Sequence, residues 1–557
     1  MAIVGWPVED LLNKYGKMNP MKLYIYKFSL LLFSIVLIFS SACKQGREGE
    51  AWSGAGDIYH EAFRPQFHFT PQKNWMGPPS GLIYHNGTYH MFYSYNPDTT
   101  YLGALHWGHA VSEDLMHWEP MGVSLKPDSL GQILPGSVVL DSNNTSGLGS
   151  MQHTAMIAAF TYKRPKENSN QSVYEQGLAY SLDEGRSWHK YDYNPVLSAK
   201  QGQNKLRHPD LFWHEKTQKW IMALSGNNKI WFYGSPDMKK WNFLSEFKAE
   251  SVSPDERWCH PDLFSIKAES QANRKRWILL VSIEQGGPSG GSATRYFIGD
   301  FDGTSYTSHL DDKRWMDYGK DFFGAKTFSN ITVNGNEKIS MGWMNNWDYA
   351  QLLPTHPWRG AMSIPKKLSL THIHGKKFLT SHPVNELEKL RVQDEILEPV
   401  KVRDEVVLSE GLKNESLPLE IILNFRTQKH TQIGFAERFG IKLSGSSNQM
   451  RIGYDNYHGA FYIDRSRSEI TNISETYSTS SYAPYLQTDS ITTMRILIDR
   501  SSVELIGEEG KRSVTSRFFT KEPLSQISLY AHNGSVPFDG GKVFRLSSIW
   551  KDYTRDK

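Results

Sequence analysis

The chain has 557 residues, enough for a large core and two domains. Lys+Arg 62 against Asp+Glu 59 leaves a net charge of +3, a balance that sets nucleic acid aside as a partner. Aromatic residues reach 13%, a supply that serves core packing and also suits the flat faces of a sugar cleft.

In chain order, the first 20 residues read as a segment upstream of the true start, because Met21 opens a secretory signal. Lys22 and Lys27 precede the apolar run Leu30 to Phe39, which is short for a membrane span. Ser40-Ser41-Ala42-Cys43 resembles a bacterial lipobox, with Ser40 where Leu is usual. The expected product is an exported lipoprotein, acylated at Cys43 and held at the outer membrane or cell surface. An ordinary signal peptide is the alternative. Of two cysteines, Cys259 would then remain alone in the mature chain, so no disulfide supports the fold. Residues 44–57 read as a polar tether.

From 58 to 385 short strand-like runs alternate with Gly, Asn, Asp and Pro, as in Tyr89 to Tyr95 and Trp220 to Leu224. Asn86-Gly87 between two such runs signals a hairpin. Arg207-His208-Pro209-Asp210-Leu211-Phe212 is echoed by Cys259-His260-Pro261-Asp262-Leu263-Phe264. The phrase at 112–120 is likewise echoed at 235–243. Repeats of this kind, some 40–60 residues apart, suit propeller blades. One short helix is expected over 382–396, leading into a linker set at 386–399. A second all-β segment over 400–552 alternates apolar and polar residues, as in Met494 to Asp499, and predicts a β-sandwich.

Phrases spread over nearly the whole mature chain carry a family resemblance. Asn74 to Pro97, His106 to Pro120, Gly136 to Gly149, Gly290 to Gly303, Asp317 to Asn330, Met341 to Ala350 and Pro357 to Leu370 follow one another in family order. Gly453 to Ser468 and Ile496 to Ile506 follow in the second segment. The chain resembles glycoside hydrolase family 32, the invertases, inulinases and levanases. That resemblance implies an all-β molecule, a five-bladed β-propeller followed by a C-terminal β-sandwich, acting on fructans such as levan or inulin without a cofactor.

The family's retaining chemistry needs a nucleophile and an acid/base carboxylate about 5–5.5 Å apart. A third carboxylate supports the transition state. These lie in W-M-N-D-P-N-G, W-E-C-P-D and R-D-P motifs. By that resemblance Pro78 stands at the nucleophile, Cys259 at the acid/base and His208 at the stabiliser. Gly77, Ser80 and Ser94 replace pocket neighbours. Loss of one such group typically costs rate factors of order 10²–10⁴, and loss of all three leaves no double displacement.

Two readings follow. In the first, the cleft binds fructan or a related glycan without cutting it, through Trp75, Ser80, Ser94, Trp107, Arg207, Asp262, Trp343 and Trp347. Core packing between blades is the competing role for each Trp. The partners expected are an oligo- or polysaccharide, the membrane through the anchor, and other components of a glycan-uptake system. In the second, the chain is a glycoside hydrolase of altered chemistry. Cys259 and His208 then supply a thiolate or bind Zn²⁺, with His260 and Asp210 or Asp262 as further ligands. Against convergence, neighbouring strand residues 259 and 260 should face opposite ways. The Gly-rich stretch 286–291 reads as a turn, and His106 and His109 as pocket lining or structural residues.

Overall fold

A computed structural model describes residues 58–550, except 151, 199–204, 254–255, 269–270, 310–311, 332, 334–336, 374–375, 411–416, 428–433, 469 and 486–489. The expected signal, Cys43 and the tether over 44–57 lie outside the described residues. The described residues from Tyr59 onward form one compact unit.

Five antiparallel blades come first. The first holds strands Asn74–His85, Thr88–Asn96, His106–Ser112 and Glu119–Leu125, and the second Gln132–Leu140, Met156–Pro165, Ser172–Ser181 and His189–Lys190. The third holds Arg207–His214, Lys219–Gly226, Lys229–Ser235 and Asn242–Phe247. The fourth holds Trp258–Ala268, Gln271–Ile283, Ala293–Phe301 and Tyr306–Ser308. Phe323–Thr327, Lys338–Trp343, Lys366–Ile373 and Lys376–Pro383 complete the fifth. The first strand of each blade neighbours the first strand of the next, closing a ring around a central axis. Trp358–Arg359 returns to pair in parallel with Asn74 and Trp75.

Local chemistry explains the turns. Asn86 and Gly87 take φ 47° and 84°, the left-handed pair that a two-residue hairpin requires. The echoed phrases at 112–120 and 235–243 form one turn between the third and fourth strands of their blades. Ser112 and Ser235 meet Asp114 and Asp237, each aspartate accepts the next backbone N–H groups, and Trp118 and Trp241 donate back to Leu115 and Met238 at 2.7 Å. The second blade carries a third copy, Ser181, Asp183 and Trp188, built by the same bonds.

The second segment is a β-sandwich. Its long strand Gln526–Leu546 pairs with Arg391–Leu397, Val400–Glu410, Leu419–Arg426 and Arg438–Ser444, so it passes from one face of the sandwich to the other. Ile421, Phe425, Phe439, Ile452 and Ile496 fill the space between. The helix expected over 382–396 is corrected. Only Asn385–Leu390 is helical, as a 3₁₀ turn, and Arg391–Leu397 is a strand paired with 541–546. The linker expected over 386–399 is therefore mostly sandwich, which begins at 391 rather than 400. Pairing with 541–546 satisfies one side of the strand's backbone although most of its side chains are exposed, so tertiary pairing overrides local preference.

Candidate functional site

A cavity of about 660 Å³ opens at one end of the propeller axis. The ring of inner strands shapes it through a shared irregularity. In every blade the inner strand spends an extra residue against its neighbour near this end, at Met76 to Pro79 (with a second at Pro79 to Gly81), Leu134 to Gly136, Arg207 to Asp210, Cys259 to Asp262 and Phe323 to Lys326. Four of these bulges hold a proline, Pro78, Pro135, Pro209 or Pro261, which cannot donate to the ladder and so settles where pairing breaks. The fifth holds Gly324 at φ +67°, where an added Cβ would stand 2.6 Å from Pro78 Cβ.

The bulges decide which side chains enter the cavity. His208 and His260 take φ 59° and 48°, left-handed values that histidine adopts more readily than most residues. The extra residue cancels the strand alternation, so Cys259 and His260 both line the cavity with His208, contrary to the opposite facing expected from a regular strand. Potential ligand atoms of the three lie within 4.8 Å of one another.

Of the expected site residues, Trp75, Pro78, Ser94, Arg207, His208, Cys259, His260 and Trp347 line the cavity with Gly77. Ser80, Trp107, Trp343 and Asp262 do not. Ser80 is buried further along its strand. Trp107 packs on Phe92 and Phe160 and donates to Leu134 O at 3.2 Å. Trp343 donates to Met76 O at 3.0 Å and backs Trp75 and Trp347, so it supports the wall without forming it. Asp262 and Asp210, candidates for the extra metal ligand, face a separate cavity of about 430 Å³. Alternation resumes beyond the bulge and turns them away. There Asp262 accepts from Thr327 N–H at 2.9 Å, and Lys326 stands 3.4 Å from Asp210. His109 stacks on Phe92 and His90, and His106 bonds the Ala104 carbonyl.

Sequence reading missed Lys163, Tyr174, Arg257, Glu284 and Phe323 in the lining. Lys163 and Tyr174 are cross-strand partners at the end of a hairpin, and Glu284 follows the strand paired with Cys259. No local motif marks them. Among the described residues Glu284 is the only carboxylate of the lining, and Arg207 pairs with it at 2.5 Å.

The floor is polar but sparsely bonded. Trp75 Nε1, Ser94 Oγ and His260 Nδ1 are buried without a hydrogen-bond partner among the described residues, and Gly77 lies beside the first two, where an added Cβ would stand 3.0 Å from Ser94 Cβ. Burial, then Arg207 and Lys326 among the neighbours, hold His208 and His260 well below the usual imidazole range, so both rings are neutral. Burial and then Glu284 push the Cys259 thiol well above its ordinary value. The thiol contacts Ser282 O at 3.4 Å and packs with Trp75, Leu105 and Phe323. As a metal site the trio is not preformed. The His208 and His260 rings stack at 4.2 Å with planes 17° apart, so their in-plane lone pairs run side by side rather than meeting at one ion. His208 Nδ1 also accepts from the His260 backbone N–H at 3.3 Å.

Comparison with known proteins agrees with this architecture. Residues 68–383 match the glycosyl hydrolases family 32 N-terminal domain, and 386–545 match the family's C-terminal domain. A levanase of Bacillus subtilis (strain 168) is 37% identical over 525 residues, covering 93% of this chain and 75% of its own. An extracellular exo-inulinase of Aspergillus awamori is 34% identical over 529 residues, covering 88% and 96%. The crystal structure of an Aspergillus awamori exo-inulinase superposes with a TM-score of 0.80 at 32% identity, over 88% of this chain and 100% of that one. A Schwanniomyces occidentalis β-fructofuranosidase complexed with fructosyl-erythritol gives 0.78 at 27% identity, over 89% and 99%.

Proposed function

We propose that this chain, which belongs to glycoside hydrolase family 32 through both of its domains, holds the terminal sugar of a β-fructan in the propeller cavity without cleaving it by double displacement. The observation that carries this reading is the lining itself: among the described residues, one carboxylate, Glu284, beside three buried polar atoms that lack partners. A retaining glycosidase needs two carboxylates about 5–5.5 Å apart. An orphaned buried donor or acceptor costs roughly 1–3 kcal/mol, which a sugar hydroxyl entering the cavity relieves. Pro78, Cys259 and His208, aligned by the family motifs with the nucleophile, acid/base and stabiliser, account for the missing carboxylates.

Calorimetry with levan and inulin oligosaccharides, alongside an assay for released fructose, tests the reading. Binding heat without fructose release is the expected result. Steady turnover in metal-free buffer overturns it. The revertant Pro78→Asp, His208→Asp, Cys259→Glu is expected to hydrolyse sucrose and levan poorly, because Gly77, Ser80 and Ser94 also depart from the family pattern.

The proximity of His208, Cys259 and His260 favours a second reading, a hydrolase using a bound Zn²⁺ or a thiolate. It requires ring rotation and loss of the thiol proton. Turnover that appears only with added zinc and vanishes in Cys259→Ser would establish it.

For location, we propose export and membrane anchoring through acylated Cys43, beside other glycan-uptake components. Incorporation of labelled palmitate into the wild type but not Cys43→Ser checks the anchor.

A further inference from the structure

The cavity that would hold the sugar is lined by groups of unequal charge. Lys163 of the second blade, Arg207 of the third and Arg257 just before the fourth all line it. Glu284 is the only acidic group in the lining among the described residues, and Arg207 already pairs with it at 2.5 Å. Lys163 and Arg257 have no ion-pair partner among the described residues. Three cations against one carboxylate leave two positive charges uncompensated. No other described residue of the lining offsets them, because both histidines are neutral and the thiol keeps its proton.

A neutral sugar needs hydroxyl partners, and Trp75 Nε1, Ser94 Oγ and His260 Nδ1 offer them at the floor. The cations at the wall answer a different need. When a ligand fills the cavity and displaces water, an unpaired ammonium or guanidinium loses hydration with nothing in return. A ligand that brings an anion replaces that hydration with charge-assisted hydrogen bonds, roughly twice as strong as neutral ones. A guanidinium such as that of Arg257 also matches the planar oxygen pair of a carboxylate or the oxygens of a sulfate or phosphate.

We infer that the glycan bound by this chain carries an anionic group, a carboxylate, sulfate or phosphate, on or next to the sugar seated in the cavity. The inference rests on the reading that the cavity holds a terminal sugar, and it narrows the ligand from fructan in general to a charged one. The floor takes the sugar hydroxyls, and Lys163 and Arg257 take the anion at the wall.

The test is calorimetry on the full mature chain at low and high NaCl. The probes are inulin, carboxymethyl-inulin and inulin sulfate, then fructose, fructose 6-phosphate and sodium phosphate alone. At least one anionic probe is expected to bind about tenfold or more tightly than its neutral counterpart, with an advantage that shrinks as salt screens the charges. In Lys163→Gln/Arg257→Gln the ratio of anionic to neutral affinity should fall toward one, while the melting temperature stays within a degree or two of wild type. The arms identify which anion is preferred. Equal affinity for inulin and all charged forms overturns the charge inference and leaves the sugar-binding reading standing. Sodium phosphate binding as tightly as fructose 6-phosphate overturns it too, since the sugar would then contribute nothing. Failure of every probe to bind overturns both readings.

Discussion

The side chain of Cys259 is 1% exposed, lies against Trp75, Leu105 and Phe323, and holds its proton far more firmly than a free thiol. Such a group reacts as a small apolar filler rather than as a nucleophile. Iodoacetamide at pH 7.5 should therefore label Cys259 at least 100-fold more slowly in the native protein than in urea, read by mass spectrometry. Rapid native labelling would revive the thiolate reading. Trp75 poses the complementary case. Its ring packs at 5.7 Å from Trp343 and 6.1 Å from Trp347, yet its Nε1 has no partner among the described residues. Trp75→Phe keeps most of the ring and removes the orphaned donor. Fructan affinity is expected to fall about fivefold or more, while stability to urea holds or rises. A loss of stability without loss of affinity would make Trp75 a core residue only.

The inner strands owe the cavity to their bulges, and the fifth bulge is the most tightly constrained. Gly324 sits at φ +67° with its missing Cβ pointed at Pro78, and its N–H bonds Ser282 Oγ at 3.0 Å. Gly324→Ala is expected to cost roughly 1–3 kcal/mol in urea unfolding, from the left-handed backbone and the collision with Pro78 together. His208 and His260 repeat the left-handed conformation in two blades, so β-branched replacements there should destabilise more than Asn. The same bulges explain why the echoed His-Pro-Asp phrases were visible in sequence while their facing was not. A residue count along a regular strand assigns sides by parity, and one inserted residue reverses that assignment.

Across the molecule, a buried polar network joins propeller residues to the sandwich. His68 meets Asp499 and Glu504 at 2.9 Å each, Lys366 reaches Glu504 at 2.6 Å, and Arg465 reaches Asp321 at 2.7 Å. Burial by itself would raise the Glu504 carboxyl, but Lys366 and then His68 hold it down to about 2. Its stabilisation is complete above the unfolded value near 4.5 and is lost as pH falls toward 2, on the order of 3 kcal/mol in all. His68 is shifted the other way: burial opposes its charge, yet Asp499 and Glu504 raise it above 6.5. That contribution is complete below 6.5 and is lost as pH rises through the folded value. Urea unfolding as a function of pH should show an acid limb below pH 4.5 that Glu504→Gln largely removes. A limb of equal height in the variant would place the acid sensitivity elsewhere.

By itself the sequence determined the all-β architecture, because strand periodicity, turn residues and the ordered family phrases are local and survive without coordinates. It also placed Trp75, Pro78, Ser94, Arg207, His208, Cys259 and Trp347 near one pocket, since motif order carries blade order. Only the tertiary structure decided that Trp107 and Trp343 serve the core, that Asp210 and Asp262 face another cavity, and that 391–397 is a strand. It alone brought Lys163, Arg257 and Glu284 to the lining. These residues lie on different blades, and their meeting depends on how five sheets close around an axis, a relation that no window along the chain contains.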